Sequence, residues 1–342
     1  MSGAAGPDFD PGAAGRWLAG HLPGLDPAIV ARRLAGGQSN PTYVLETSAG
    51  IFVLRRKPFG PLLPSAHAIE REYRLLVALH PQGFPVPRPI GLCEDASVIG
   101  APFYVMAHVE GRVLHDATLP GHTARERRAI HLGLVETLAR LQAIEPASVG
   151  LGDFGRPGAY VARQIERWTR QVAAAPTGHT PALAALGQRL GRDVPEQSAT
   201  TIVHGDWRLD NLILAPDGAA PRAVIDWELA TLGDPLADAT YLFMNWTMPR
   251  DGRSGLGGVD VVGLGIPGRA EAVALYERLT GRAVTPVLDW YVAYNLFRLG
   301  AIYQGIEARL LAGTAASADG ARLVTLIPGL IAAAEESLAR AG

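Results

Sequence analysis

Residues 202–235 read IVHGDWRLDNLILAPDGAAPRAVIDWELATLGDP, and this stretch decides the fold. Asp206 follows a short apolar run, Asn211 precedes the run LIL, and Asp226 follows the run AVI. The Asp-Gly pair at 217–218, between the second and third runs, is typical of a hairpin turn. The pattern therefore predicts a loop and a hairpin that together bring Asp206, Asn211 and Asp226 close to one another.

Two carboxylates and an amide in this order are typical of phosphoryl-transfer enzymes of the protein-kinase type. In that arrangement the first carboxylate, here Asp206, orients the attacking hydroxyl group. The amide and the second carboxylate, here Asn211 and Asp226, hold Mg2+, which prefers oxygen ligands and neutralises the nucleotide phosphates. Each residue alone could be an ordinary turn residue, but their order on a strand–turn–strand frame favours the catalytic interpretation.

Several blocks of this sequence resemble the aminoglycoside phosphotransferase family, and in particular the branch found fused to some acyl-CoA dehydrogenases. They are HGDWRLDN, VIDWELATLGDP, GGQSNPTYVL and YNLFRLGAIYQGIEAR, and with two further blocks they extend from about residue 34 to 309. The resemblance implies ATP as phosphoryl donor and an α+β, bilobal protein-kinase-like fold. Its small β-rich N-lobe would carry one main helix, and its larger C-lobe would be mostly helical.

Composition narrows the class of protein. The 31 basic and 33 acidic residues are scattered and nearly balanced, so no nucleic-acid partner is expected. The single cysteine excludes an intrachain disulfide and fits a reducing compartment. The amino terminus lacks the pattern of a signal peptide, and no apolar run reaches the roughly 20 residues of a membrane helix. We therefore expect a cytoplasmic protein that is not inserted in a membrane.

The domain organisation follows from the same patterns. Residues 1–15 are rich in Gly, Ala and Pro and are expected to be disordered or loosely packed. Residues 16–108 are assigned to the nucleotide-binding N-lobe, and residues 109–342 to the C-lobe with the catalytic loop, metal site and acceptor pocket. Apolar periodicity predicts helices over 16–22, 65–79, 123–144, 160–174, 269–280 and 289–311, with Ser65 as a helix N-cap.

A turn at 35–40 and the following strand at 51–55 are expected to face the nucleotide. Ser39 and Asn40 could donate hydrogen bonds to phosphate, although the same residues also suit an ordinary hairpin. Alternation along the strand places Val53 and Arg55 on one face. The resemblance aligns Arg55 with a lysine that holds phosphates in protein kinases, and arginine can bind phosphate through two hydrogen bonds. Lys57 has the same parity and is an alternative.

Two further nucleotide contacts are implied by the resemblance. Of the two acids on the helix at 65–79, Glu72 is selected over Glu70 as the partner that fixes the arginine at the end of the strand. The hinge between the lobes follows the strand FYVM. There the backbone of Ala107 and Val109 would hydrogen-bond the adenine base, with Met106 lining its pocket.

Other residues are assigned to the acceptor side or set aside. Arg208 could meet the transferred phosphate, as a lysine does in protein kinases. Asn295 and Arg298 share a face of the last long helix and are tentative substrate residues, although Arg298 could instead form an ion pair with Asp238 or Glu307. The GLGIPG run at 263–268 matches a dinucleotide-binding pattern but lacks the following strand that such a site needs.

These observations predict an ATP- and Mg2+-dependent kinase that phosphorylates a small-molecule hydroxyl. Aminoglycosides are polycations, whereas residues 244–309 are not rich in acid, so a hydroxy fatty acid or hydroxyacyl-CoA is the expected acceptor. Two alternatives stay open. One is a nucleotide-binding pseudokinase that acts as a scaffold, and the other is a kinase for an aminoglycoside-like or other amino-alcohol acceptor.

Overall fold

The computed structural model describes residues 6–34, 40–60, 68–313 and 318–341. An antiparallel sheet of five strands in the order β1-β2-β3-β5-β4 makes up most of the N-lobe. The helices and strands of the N-lobe are α1 (Pro11–Ala19), β1 (Val30–Arg33), β2 (Thr42–Thr47), β3 (Gly50–Arg56), α2 (Ile69–Leu79), β4 (Pro89–Cys93) and β5 (Phe103–Ala107). Ser65, predicted to cap α2, lies outside the described residues.

Strand β3 sets the face that looks toward the C-lobe. Phe52 and Leu54 alternate with Val53 and Arg55, as the sequence pattern predicts. Phe52 and Leu54 pack into the apolar core of the N-lobe with Tyr43. Because successive side chains of a strand point to opposite faces, Val53 and Arg55 are left for the cleft between the lobes.

The first helix begins earlier than the sequence pattern predicted. It starts at Pro11 because Asp10 caps it, with the Asp10 carboxylate accepting a hydrogen bond from the Gly12 N–H at 2.8 Å. Ala14 and Leu18 of this helix are buried in the N-lobe core. The expectation that residues 11–15 lack regular structure is therefore wrong: small residues there allow the helix to pack closely.

Helices dominate the C-lobe. They are α3 (Ala124–Gln142), α4 (Tyr160–Ala174), α5 (Thr180–Leu190), α6 (Pro235–Phe243), α7 (Val261–Leu264), α8 (Arg269–Thr280), α9 (Leu288–Leu311), α10 (Ala318–Val324) and α11 (Ile327–Ala341). The strands β6 (Arg112–Val113), β8 (Leu212–Leu214) and β9 (Pro221–Val224) form one antiparallel sheet. The strands β7 (Thr201–Val203) and β10 (Thr231–Gly233) form another. The predicted α+β architecture, with a sheet-rich N-lobe and a mostly helical C-lobe, is confirmed.

One buried helix organises the C-lobe. Helix α9 packs against α4, α5, α6 and α11, and its central residues are buried on almost every side. Helix α2 of the N-lobe joins the same apolar core through Ile69, Leu76 and Leu79. The two lobes therefore share a continuous apolar contact behind the cleft, which limits how far they can move apart.

None of the helices in the described ranges combines the length and the apolar character that a bilayer crossing requires.

A buried histidine lies where α3 meets the segment after β6. His131 is 4% exposed, and its Nε2 lies 2.8 Å from the Ala117 carbonyl oxygen. Burial lowers the pKa of His131 to about 4, against the smaller opposing effect of the hydrogen bond to Ala117. The folded protein therefore holds this imidazole neutral at neutral pH.

Acidification is expected to destabilise the fold through His131. Its folded pKa lies below the ordinary value of about 6.5, so the unfolded chain binds the proton first and stability is lost as the pH falls from about 6.5 toward 4. Between about pH 7.5 and 5 the free energy of unfolding should drop by about 2 kcal/mol from this group. In urea unfolding, His131→Gln should lack this part of the pH dependence.

The exposed His80 supplies the control for that measurement, because His80→Gln removes a histidine without touching the buried one. Equal pH dependence in His131→Gln and His80→Gln would contradict the assignment.

Candidate functional site

A cavity of about 320 Å³ lies between the lobes and collects most of the nucleotide-binding candidates. Its walls come from β3, β5, the hinge after β5, and the β8–β9 hairpin. Among the lining residues are Val53, Arg55, Met106, Ala107, Val109, Asn211 and Asp226. The cavity also touches residues that sequence reasoning did not single out, including Tyr104 and Trp227.

The N-lobe wall carries a buried network around Glu72. Arg55 Nε lies 3.2 Å from Glu72 Oε2. Asn40 Nδ2 donates to Glu72 Oε1 at 3.0 Å, and the Tyr104 hydroxyl donates to Oε2 at 3.2 Å. The predicted choice of Glu72 over Glu70 agrees with this geometry, because Glu70 Oε1 instead lies 2.5 Å from Lys57 Nζ. Ser39 lies outside the described residues.

Burial and ion pairing act against each other in this network. Burial raises the pKa of Glu72 to about 7. The negative charges of Asp226 and Glu228 also raise this pKa, whereas the positive charge of Arg55 lowers it. For Arg55, burial disfavours the charged form, but Glu72, Tyr104, Asp226 and Glu228 outweigh it and hold its pKa above the ordinary value. The guanidinium of Arg55 is therefore charged and fixed.

Arg55 also reaches across the cleft. Its Nη2 donates to Asp226 Oδ1 at 3.1 Å and lies 3.5 Å from Glu228 Oε2. Three carboxylates, those of Glu72, Asp226 and Glu228, thus surround one guanidinium. This corner of the cleft has more acidic than basic groups.

Asp226 sits in a backbone conformation that non-glycine residues rarely adopt, with φ 65° and ψ 61°. The left-handed conformation turns the chain sharply after β9, which points the carboxylate back into the cleft. The Ile225 N–H donates to the Asn211 carbonyl at 2.9 Å, so the two predicted metal ligands lie on adjoining backbone. Such local strain often accompanies a functional site.

The loop after β7 presents Asp206, whose carboxylate accepts three side-chain hydrogen bonds. The Tyr241 hydroxyl donates to Oδ1 at 2.9 Å. Arg208 Nε and Asn211 Nδ2 donate to Oδ2 at 3.0 and 3.1 Å. Burial opposes ionisation, but Arg208, His204, Tyr241 and Arg298 together hold the pKa of Asp206 below its usual value. Asp206 is therefore a carboxylate at neutral pH.

The backbone of this loop is fixed by a buried acid from α6. Asp238 is 2% exposed and accepts the His204 N–H at 2.5 Å and the Gly205 N–H at 2.9 Å. Gly205 has φ +84°, and an added Cβ would lie 2.9 Å from the Leu229 carbonyl oxygen, so glycine is required there. The His204 ring is fully buried between the Ile225 carbonyl and the Asp206 N–H.

The remaining charged residues of the loop pair with each other. Arg208 Nε lies 3.2 Å from Asp210 Oδ1 as well as contacting Asp206, and Arg253 Nη2 donates to Asp210 Oδ2 at 2.7 Å. Asp210 thus supports the loop through two arginines. Arg208 keeps its terminal nitrogens for other contacts while its Nε holds Asp206.

The hinge residues line the cavity as predicted, but two of their backbone N–H groups are already hydrogen-bonded within the protein. The Ala107 N–H donates to the Arg88 carbonyl at 2.8 Å, and the His108 N–H donates to the Ile51 carbonyl at 3.2 Å. Those two donors are occupied by the sheet. The N–H groups of Ala107 and His108 are therefore not available to a bound base.

Two tentative substrate residues do not form the predicted contacts. Asn295 is fully buried, and its amide donates to the Thr240 hydroxyl at 3.0 Å and to the Ala237 carbonyl at 3.2 Å. Its assignment to substrate is therefore wrong, because helix packing seals it from the cleft.

Arg298 donates from Nη2 to the Gly205 carbonyl and lies over the Tyr241 ring, 5.1 Å from its centroid. The predicted alternatives bind elsewhere: Asp238 holds the loop backbone, and Glu307 lies 2.9 Å from His179. The Arg298 guanidinium therefore supports the loop that carries Asp206.

The dinucleotide-like run at 263–268 forms the end of α7 and the turn into α8. The elements that follow α8 are helical up to Leu311, so the parallel strand of a dinucleotide fold is not present in that part of the chain.

Comparison with known proteins places this geometry in a family. The model of the phosphotransferase enzyme family matches residues 30–293. Acyl-CoA dehydrogenase family member 10 of Mus musculus is 44% identical over 82% of this chain. Acyl-CoA dehydrogenase family member 11 of Gallus gallus is 40% identical over 90%. The chain spans 27% and 41% of these two relatives, less than half of either.

A solved structure from Ralstonia eutropha JMP134, provisionally named an aminoglycoside phosphotransferase, is 40% identical. It superposes with a TM-score of 0.89 over 98% of this chain and 99% of its own. The similarity confirms the predicted bilobal, kinase-like fold. The chain belongs to the phosphotransferase enzyme family, and it is a small-molecule phosphotransferase.

Proposed function

We propose that this protein transfers the γ-phosphoryl group of MgATP to a hydroxyl of a hydroxy fatty acid or hydroxyacyl-CoA. The observation that carries the proposal is the ionised, hydrogen-bonded Asp206 carboxylate, which contacts Asn211 at the edge of the cleft that Asp226 and Arg55 line. One cleft thus joins a base for a hydroxyl group, oxygen ligands for a cation and a fixed guanidinium for phosphates.

Asp206 would accept the proton of the attacking hydroxyl. The acceptor oxygen bonds to the γ-phosphorus while the bond to the bridging oxygen breaks, and ADP leaves with that electron pair. Because the pKa of Asp206 lies below its usual value, it is a weak base. It therefore takes the proton late, when the hydroxyl has begun to bond phosphorus, as suits a loose transition state.

The residues at the end of the cleft fit Mg2+. The Asn211 amide nitrogen donates to Asp206, which leaves the amide oxygen as its ligand, and Asp226 adds a carboxylate in the acidic corner around Arg55. Within the described ranges, no group of three or more His, Cys, Asp or Glu side chains could hold a metal. Mg2+ commonly binds one or two carboxylates together with phosphates and water. It would neutralise charge on the phosphates.

Arg55 would hold the phosphates in the place of the usual lysine. Its Nε faces Glu72 and its Nη2 faces Asp226, so the guanidinium is oriented before nucleotide binds. Lys57, the alternative, pairs with Glu70 and is not among the residues that line the cavity. A preoriented arginine loses less conformational freedom on binding phosphate than a lysine does.

Three arginines lie near Asp206, and two of them are paired with carboxylates of the same loop. Arg208 and Arg253 share the carboxylate of Asp210, and Arg298 lies behind the loop. Arg253, whose side chain is 36% exposed, could pair with the anionic group of a fatty acid or coenzyme A conjugate. The names of the two relatives, both acyl-CoA dehydrogenase family members, support the same choice of acceptor.

Asp206→Asn should lower turnover by about 100-fold or more, because the amide cannot accept the proton. The assay is ADP release from MgATP with hydroxyacyl-CoA acceptors that differ in chain length and hydroxyl position. Asp217→Asn is the matched control, since Asp217 is exposed in the β8–β9 turn of the same segment. Wild-type turnover in Asp206→Asn would remove Asp206 from the mechanism, and nucleotide binding without any phosphorylated product would favour a scaffold instead.

Glu72→Gln should weaken binding of a non-hydrolysable ATP analogue by about 10-fold, equivalent to about 1.4 kcal/mol. The reason is that Arg55 loses the carboxylate that orients it toward the phosphates; the titration is made at about pH 8, where Glu72 with its pKa of about 7 is mostly ionised. Glu70→Gln makes the same chemical change two residues away, where the partner is Lys57, and should bind within about twofold of wild type. Calorimetric titration measures both, and equal affinities would show that the Arg55–Glu72 pair does not serve nucleotide binding.

A further inference from the structure

Asp206 is held by groups of two different origins. Arg208 and Asn211, which donate to Oδ2, belong to the same loop as Asp206 and move with it. Among the described residues, Tyr241 is the one side chain outside residues 202–211 that donates a hydrogen bond to this carboxylate, at 2.9 Å from Oδ1. Tyr241 therefore relates the carboxylate to a separate element, helix α6.

Helix α6 provides a rigid reference for the whole loop. All of its residues from Pro235 to Phe243 are buried. Asp238 and Tyr241 are three residues apart and so lie on one face of the helix. Asp238 accepts the backbone N–H groups of the loop, while Tyr241 binds the side chain at its tip. Backbone and carboxylate are thus positioned by the same helix face.

The Tyr241 ring is itself held in place. The Arg298 guanidinium lies 5.1 Å from the ring centroid and donates a hydrogen bond to the Gly205 carbonyl. Tyr241 is 8% exposed, so its hydroxyl cannot turn freely toward solvent. Helix α9, through Arg298, therefore fixes the phenol and the loop to each other.

The hydrogen bond also decides which lone pair of Asp206 is left for chemistry. A carboxylate offers about four acceptor positions, two on each oxygen. Arg208 and Asn211 occupy those on Oδ2, and Tyr241 occupies one on Oδ1. The remaining position is on Oδ1, beside the Tyr241 hydroxyl.

We propose that Tyr241 is a positioning residue, which orients Asp206 so that Oδ1 receives the proton of the acceptor hydroxyl. This inference rests on the proposed function, because it takes Asp206 as the base. Tyr241 acts through Asp206 and does not itself take part in bond making. Loss of its hydroxyl should affect the transfer step more than the binding of either substrate.

The test compares Tyr241→Phe with wild type by ADP release from MgATP. The acceptors are the hydroxyacyl-CoA panel, with water as the acceptor where the panel gives no turnover. Tyr241→Phe should lower kcat about 10-fold to 100-fold, the size of effect that a misplaced catalytic group produces, while each KM stays within about threefold.

Tyr291→Phe is the matched control. Tyr291 is another buried phenol of the C-lobe, and among the described residues its hydroxyl donates to a buried aspartate, Asp234, at 2.5 Å and not to the loop. Asp234 caps the N-terminus of α6, so the control disturbs the same helix without touching Asp206. The substitution Tyr291→Phe removes the same phenolic hydroxyl at a comparable cost in packing. Its kcat should stay within about twofold of wild type, and thermal unfolding of both variants reports any general loss of structure.

Each outcome has one meaning. A lower kcat in Tyr241→Phe alone supports the inference. Wild-type kcat in Tyr241→Phe, with Asp206→Asn inactive, overturns the inference and leaves the proposed function standing. Equal loss in Tyr241→Phe and Tyr291→Phe also overturns it, because a general disturbance of α6, which Asp234 caps, would then explain both. Wild-type turnover in Asp206→Asn overturns the proposed function and the inference together.

Discussion

The catalytic loop depends on one buried carboxylate that accepts two backbone hydrogen bonds. Asp238 binds the N–H groups of His204 and Gly205, and burial raises its pKa against the opposing effect of His204 and these hydrogen bonds. If this acceptor were removed, two buried N–H groups would be left without a partner, at about 1–3 kcal/mol each. The position of Asp206, one residue further along the chain, follows from this constraint.

A second constraint joins the lobes electrostatically. Arg55 comes from a strand of the N-lobe, whereas Asp226 follows a strand of the C-lobe, and the two meet at 3.1 Å across the cleft. Glu72 holds the same guanidinium from behind. Because buried charges are costly unless they are paired, these groups fix the relative position of the two walls better than apolar contacts alone would. This end of the cleft is therefore built before any ligand arrives.

The sequence predicts the parts of this site that are local in the chain. The order of Asp206, Asn211 and Asp226 along one loop and hairpin, and the alternation that exposes Arg55 to the cleft, can be derived from spacing alone. Tyr241 and Asp238 could not be assigned this way, because their partners lie more than 30 residues earlier. The one available signal was their spacing of three on a helix directly after the motif. The helical periodicity of α9 correctly predicts that Asn295 and Arg298 share a face. It does not predict which helix covers that face.

The contacts on this face of α9 separate residues that support the loop from residues that could select the acceptor. Asn295 holds α6 through Ala237 and Thr240, and Arg298 holds the loop through Gly205, so the face of α9 that was expected to bind substrate is used for support. Recognition of the acceptor must then come from residues that these contacts leave exposed. Arg253 fits this requirement, since its side chain is 36% exposed while its guanidinium contacts Asp210 of the loop. The segment that carries Arg253 can change its charge or length without moving Asp206. Members of one fold can therefore phosphorylate different acceptors with the same chemistry.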